Sequence, residues 1–151
     1  MVGRLVRCRT LDVWGEERLM RTVSLRTTKG RVVCERCLVA ETPLARMRGL
    51  LGRRGLESGE GLLLRPAPSV HTFFMRFAID VVFLARHGEV VKVVPSLRPW
   101  RTAAARRAKA VLELPAGEAD RRGIRPGIRL DLSLSADPSS GPAADHPPVS
   151  G

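Results

Sequence analysis

The chain of 151 residues contains no tyrosine, asparagine or glutamine, and only three of its 26 basic residues are lysines. Aromatic residues make up 4% of the sequence. No apolar run approaches the ~20 residues that a membrane-spanning helix needs, and the N-terminus lacks the apolar segment of a secretory signal peptide. We therefore predict no transmembrane segment and expect a cytoplasmic location.

Cysteine is also scarce, with three residues in all: Cys8, Cys34 and Cys37. The Cys34-x-x-Cys37 spacing matches half of a zinc site, but no second cysteine pair completes the four tetrahedral ligands. A thioredoxin-type pair would open a helix inside a βαβ unit, which this sequence does not predict. On a regular strand, residues three apart point to opposite faces. We interpret both as strand cysteines that pack as small hydrophobic residues, and we predict no metal and no cofactor.

Hydrophobic residues make up 44% of the chain, which suits one folded domain with a single core. We predict a poorly structured leader over 1–20, a globular domain over 21–135 and a disordered, Pro/Ser/Gly/Ala-rich tail over 136–151. The net charge of +11 would normally suggest an anionic partner, but charge by itself argues only for solubility and loose association, so nucleic acid is possible and not favoured. A GC-rich coding bias would explain arginine in place of lysine, but not the excess of basic over acidic residues.

Short apolar segments separated by turn signals predict a mainly β (α+β) fold, a compact sandwich or barrel of jelly-roll type. The predicted strands cover 22–27, 31–40, 61–65, 70–76, 80–85, 89–95 and 110–114. Leucines alternating from position 130 to 134 predict a final strand. One short helix is predicted near 43–51, capped by Thr42-Pro43, and a second helical turn near 118–122. Residues 96–109 are predicted to form a long basic loop.

Three motifs stand in a specific order: Arg46-Met47-Arg48-Gly49-Leu50, the block 73–77 leading into Asp80-Val81-Val82-Phe83, and Leu112-Glu113-Leu114-Pro115-Ala116-Gly117. In this order they resemble the uncharacterised prokaryotic family called domain of unknown function 192, over about residues 31–135. Many relatives carry Met-Lys-Asn-Thr in the central block, whereas this chain has Met-Arg-Phe-Ala. The resemblance implies a compact, mainly β fold and no established activity, cofactor or partner.

Three titratable residues lie within strongly apolar predicted strands: His71, Asp80 and Glu113. A buried carboxylate is costly unless it is paired, so we expect Asp80 to accept hydrogen bonds from backbone amides or an arginine, with Arg46 preferred over Arg76. Around Arg46, His71, Asp80 and Glu113 we predict a binding site for a small anionic ligand. An acid–base site built from His71, Asp80 and Glu113 is the enzymatic alternative. No spacing rule links the three, so we predict no catalytic residue.

The apolar residues of the central block are predicted to fill the core: Phe73, Phe74, Met75, Phe77 and Phe83. A single strand of 14 residues would be unusually long, so a bulge or turn is expected near 76–78.

The basic segment 98–109 is the second candidate site, in which arginines could bind phosphate while Trp100 stacks on a base. Its candidate residues are Arg98, Trp100, Arg101, Arg106 and Arg107. One aromatic ring is a poor stacking platform, so we favour a solvated loop in which Trp100 covers the edge of the core. The sequence thus predicts a non-catalytic binding or accessory domain for a small ligand or a protein. Nucleic-acid or anionic-surface binding is the alternative, and an unrecognised enzyme is the third.

Overall fold

The computed structural model describes residues 21–42 and 50–133. Within them the chain forms, in order, β1 (Arg21–Thr27), β2 (Val32–Ala40), β3 (Glu60–Leu64), β4 (Ser69–His71), β5 (Ile79–Leu84), β6 (Val90–Leu97), β7 (Thr102–Ala104), β8 (Ala110–Pro115), α1 (Glu118–Arg121) and β9 (Leu130–Asp131). The mainly β prediction and the short helix after residue 117 are confirmed. The predicted helix near 43–51 lies largely outside the described residues, as do the leader 1–20 and the tail 136–151.

Seven strands form one sheet in the order β6-β5-β8-β3-β2-β1-β9. Neighbouring strands are antiparallel except β2 and β3, which run parallel. The two edge strands approach each other, because Val90 N–H donates to Ile128 O and Leu130 N–H donates to Gly88 O, both at 2.8 Å. The sheet therefore curls into a half-barrel, and the jelly-roll detail of the prediction is not confirmed.

Two strands, β4 and β7, pair as a separate antiparallel ribbon. Ser69 pairs with Ala104 at one end of this ribbon, and His71 pairs with Thr102 at the other. The predictions of one strand over 70–76 and of a loop over 96–109 are therefore wrong in detail, because the strand ends at His71 and the loop contains β7. The chain turns after His71 and returns to the main sheet only at Ile79, so the expected break in the central block is real and longer than predicted.

The core has two parts, one on each face of the main sheet. Strand β5 is buried throughout, because Val82 and Leu84 pack into one hydrophobic cluster while Val81 and Phe83 pack into the other. Covering both faces of a strand gives a continuous apolar run instead of an alternating pattern. Asp80 lies on the same face of β5 as Val82 and Leu84 and is the polar residue in that otherwise apolar row.

The two strand cysteines lie on the same side of the sheet, contrary to the expectation of opposite faces. Cys34 pairs with Leu25 and Cys37 pairs with Val23, so β2 has one more residue than β1 between these pairs. Because of this β-bulge, Cys34 and Cys37 lie on the same face of the sheet although they are three residues apart. Both thiols are free and buried in one cluster. The hydrogen bond to the Cys34 thiol, together with burial, raises the pKa of Cys37 well above its usual range.

Among residues 21–42 and 50–133, no helix is both long and apolar enough to cross a bilayer.

Candidate functional site

Asp80 on β5 is almost fully buried, at 1% exposure. Its Oδ1 accepts the Ser96 N–H at 2.8 Å, and its Oδ2 accepts the Ala119 N–H at 2.9 Å. Both oxygens therefore accept backbone amides, one near the end of β6 and one in α1. Pairing with Arg46 stays a prediction, because that residue lies outside the described part of the chain.

Glu113 on β8 faces the opposite side of the sheet from Asp80. Across the β5–β8 pair, Asp80 stands opposite Leu114 and Val81 stands opposite Glu113, and successive side chains of a strand alternate between faces. Glu113 is 4% exposed, and burial raises its pKa to about 8. Within the described residues no hydrogen bond or ion pair reaches its carboxylate. The core surrounds it on this face, with Leu62 and Val81 as its cross-strand neighbours.

His71 ends β4 and is exposed to solvent, not held within a buried strand as expected. Its imidazole stacks on Phe73, with ring centroids 5.1 Å apart and the planes 19° from parallel. The predicted set His71, Asp80 and Glu113 is therefore divided between the protein surface and the two faces of the sheet. Within the described residues, no three His, Cys, Asp or Glu side chains are grouped so that they could hold a metal ion.

The structure instead brings four rings together on the surface, which we call the aromatic cluster: His71, Phe73, Phe74 and Trp100. The Trp100 ring lies 5.9 Å from that of Phe73 and 4.8 Å from that of Phe74. Phe73, Phe74 and Trp100 are 37%, 70% and 55% exposed. The expectation that Phe73 and Phe74 fill the core is wrong, whereas Met75 and Phe83 are buried as expected.

One buried threonine holds the two turns that carry the cluster. Thr72 is 0% exposed, and its hydroxyl donates to Arg98 O at 2.7 Å while accepting the Arg101 N–H at 2.9 Å. Its carbonyl accepts the Trp100 N–H at 3.0 Å and the Met75 N–H at 3.3 Å. Because these bonds connect both turns through a single residue, the Phe and Trp rings sit on a fixed base.

The backbone at the two most exposed rings is in a conformation that bulky residues rarely adopt. Phe74 has φ of 63° and Trp100 has φ of 60°, in the left-handed region where a side chain crowds the backbone. Such positions cost of order 1–3 kcal/mol each and concentrate at functional sites. Here the Thr72 hydrogen bonds hold the chain in this conformation.

Arginines stand at both ends of the β4–β7 ribbon, which divides the predicted basic loop in two. Arg98 and Arg101 flank Trp100, at the end where His71 pairs with Thr102. Arg106 and Arg107 follow β7, beyond the end where Ser69 pairs with Ala104. All four are exposed. The candidate residues of segment 98–109 therefore lie on two turns joined by the short strand β7, and their use as one anion site stays a prediction.

Sequence reasoning identified Trp100 and His71 separately but missed their association with Phe73 and Phe74. The available signal was an aromatic pair, Phe73-Phe74, directly after a short strand that ends in His71. Because the pattern predicts a strand over 70–76, both phenylalanines are assigned to the core from the sequence alone.

Comparison with known proteins gives the family. The model of domain of unknown function 192, described as "Uncharacterized ACR", matches residues 24–132, and the chain belongs to this family. A UPF0127 protein of Thermococcus sibiricus is 33% identical over 121 residues, covering 77% of this chain and 78% of that protein. A UPF0127 protein of Pyrococcus furiosus is 36% identical over 111 residues, covering 71% of this chain and 95% of that one.

Two solved structures share the fold. A protein of unknown function from Novosphingobium aromaticivorans superposes with a TM-score of 0.63 at 25% identity, covering 74% of this chain and 84% of that one. A protein from Sinorhizobium meliloti, described as a "putative transcription regulator", has a TM-score of 0.64 at 28% identity, covering 74% and 92% of the two chains. These relatives establish the architecture and leave the activity of the family open.

Proposed function

We propose that this protein is a non-catalytic binding domain whose aromatic cluster holds nucleotides, by stacking on the bases while nearby arginines bind the phosphates. The observation that carries the proposal is the exposure of Phe74 and Trp100 on left-handed backbone, with their rings in contact at 4.8 Å. A free nucleotide and a single-stranded nucleic acid present the same base and phosphate chemistry, and the experiment below separates them.

The exposed rings support stacking as the mode of contact. Base–aromatic stacking contributes about 1–3 kcal/mol per base and tolerates any sequence, because every base has a π-face. Three aromatic side chains and an imidazole form the cluster, which removes the objection that one tryptophan is a poor platform. Phe74, at 70% exposure, has most of its surface available to a ligand.

Charge supports an anionic ligand over a neutral one. Arg98 and Arg101 border Trp100 on the same turn, and among the described residues neither has a carboxylate within 4 Å. Guanidinium groups bind phosphate oxygens with bidentate geometry. The net charge of +11 would also attract a polyanion over a longer range.

The position of the buried acids favours binding without catalysis. Both oxygens of Asp80 already accept backbone amides, and Glu113 is enclosed in the core on the other face of the sheet. Neither carboxylate is placed to exchange a proton with a ligand on the aromatic cluster, which general acid–base catalysis requires.

The test is fluorescence anisotropy with a labelled 12-nucleotide single strand, the matching duplex, and adenosine monophosphate as competitor. We expect Trp100→Ala and Phe74→Ala each to weaken single-strand binding by roughly 5- to 100-fold, the equivalent of one lost stacking contact. Leu51→Ala is the matched control, because Leu51 is an exposed apolar residue at 40% that lies outside the cluster. It should bind like the unmodified protein.

The phosphate contribution is measured from the salt dependence. We expect Arg98→Gln with Arg101→Gln to lower the single-strand salt slope by about 1.4, or about 0.7 per charge. Arg106→Gln with Arg107→Gln removes the same charge at the other end of the ribbon and should change the slope less. If the monophosphate competes as well as the strand, the ligand is a free nucleotide; tighter binding of the strand identifies single-stranded nucleic acid. Equal binding by Trp100→Ala and Leu51→Ala, or preference for the duplex, contradicts the proposal.

A further inference from the structure

A cavity unrelated to the aromatic cluster opens where the β1–β2 turn meets the turn before β9. Its volume is about 590 Å³, within the range of small-molecule sites. We call it the hairpin cavity, and its lining includes Thr28, Lys29, Arg31, Gly127, Ile128 and Arg129. The two turns that form it are more than ninety residues apart in sequence.

Hydrogen bonds between the two turns give the cavity a fixed shape. The Thr28 N–H donates to Arg129 O at 3.0 Å, and the Thr28 hydroxyl donates to the same oxygen at 3.4 Å. Gly127 has φ of 91° and closes a turn in which Ile128 N–H donates to Arg125 O at 3.1 Å. The cavity wall is therefore made of ordered backbone on both sides.

The residues that line the cavity include three basic ones and no acidic one: Lys29, Arg31 and Arg129. Among the described residues none of the three has a carboxylate within 4 Å. By contrast, the Arg122 guanidinium is neutralised by Glu35 at 2.9 Å and by Glu118 at 2.8 Å. The Arg31 guanidinium also reaches the turn after α1, where Nη2 donates to Gly123 O at 3.4 Å.

From this arrangement we propose that the hairpin cavity binds a phosphorylated small molecule, with its phosphate held by Lys29, Arg31 and Arg129. Lysine and arginine together offer both a mobile point charge and planar, bidentate donors to phosphate oxygens. The side chain of Ile128 and the open backbone at Gly127 provide a surface for the organic part of the ligand. The site shares no residue with the aromatic cluster and stands independently of the proposed nucleotide binding.

The test is a titration of the full ¹⁵N-labelled chain, followed by amide NMR, with ribose 5-phosphate and with ribose as the phosphate-free match. We expect saturable shifts from ribose 5-phosphate confined to residues 27–31 and 127–129, and none from ribose. Lys29→Gln with Arg129→Gln should weaken this binding at least tenfold, because two charge-assisted contacts are lost. Trp100→Ala should bind ribose 5-phosphate as tightly as the unmodified protein.

The matched control is Arg54→Gln with Lys109→Gln, which removes the same net charge at exposed positions outside the cavity. An equal loss of affinity in this control would mean that only the overall positive charge attracts phosphate, and would overturn the proposal. Shifts that do not saturate, that centre on other residues, or that appear equally with ribose would also overturn it. Unchanged melting temperatures in both double variants establish that lost binding is not lost folding.

Discussion

Replacing Glu113 by glutamine should change the pH dependence of the free energy of unfolding. The carboxyl group is enclosed in the core, and burial raises its pKa from 4.5 to about 8. Burial in a medium of low dielectric constant disfavours the charged form, so the folded protein holds this carboxyl protonated at neutral pH.

The sign follows from proton binding in the two states. Below pH 4.5 the carboxyl is protonated in both folded and unfolded chains, and its contribution does not change with pH. Between 4.5 and 8 the unfolded chain releases the proton while the folded chain retains it. The free energy of unfolding therefore falls by about 1.4 kcal/mol per pH unit in this interval. From pH 5 to pH 8 the loss reaches an upper limit of about 4 kcal/mol, and above pH 8 it is complete.

Glutamine cannot ionise, so the Glu113→Gln variant lacks this loss. Urea unfolding at pH 5, 6, 7 and 8 measures the free energy of unfolding. The unmodified chain and the variant are compared at each pH, so that titration of the histidines cancels. We expect the stability of the variant relative to the unmodified chain to rise by about 2–4 kcal/mol from pH 5 to pH 8. Glu57→Gln is the control, because Glu57 is exposed and should give parallel curves. A Glu113→Gln difference that stays constant within about 1 kcal/mol would refute a buried, proton-retaining carboxyl.

Two further substitutions test the scaffold and the strain at the aromatic cluster. Asp80→Ala leaves the Ser96 and Ala119 amides without their acceptor and should lower the free energy of unfolding by roughly 2–5 kcal/mol in urea titrations. Asp131→Ala is the control, because it removes an exposed acceptor of the Ser133 amide at 2.9 Å and should leave the urea midpoint nearly unchanged. If both variants lose the same free energy of unfolding, the Asp80 hydrogen bonds contribute little. Phe74→Gly should be more stable than Phe74→Ala by about 1 kcal/mol, the reverse of the usual order, since only glycine relieves the left-handed backbone; the usual order would show that position 74 is unstrained.

The strands were predictable where their pattern is local. Val32–Ala40 and Ile79–Leu84 agree with the predicted bounds within one residue, because apolar runs between turn residues are sufficient to define a strand. These elements depend on neighbours in sequence, which the sequence itself displays.

Pairing between distant strands was not predictable, and most of the errors come from it. The bulge in β2 exists only relative to β1, so Cys34 and Cys37 could not be assigned to one face from their spacing. The opposite facing of Asp80 and Glu113 depends on the register of β5 against β8. A one-residue shift in that register would have placed both acids on one face, and nothing in either segment fixes it locally.

The aromatic cluster combines two destabilising features, strained backbone and exposed rings, with one stabilising feature, the hydrogen bonds of Thr72. Left-handed φ at Phe74 and Trp100 destabilises the fold by about 1–3 kcal/mol at each position, and glycine at either would remove that cost. Exposing the two rings at 70% and 55% forgoes most of the stabilisation that their burial would give. The buried Thr72 offsets part of these losses with its hydrogen bonds to the two turns. A scaffold selected for stability alone would bury these rings or replace them, so the cluster is the place where the proposed nucleotide binding should be tested first.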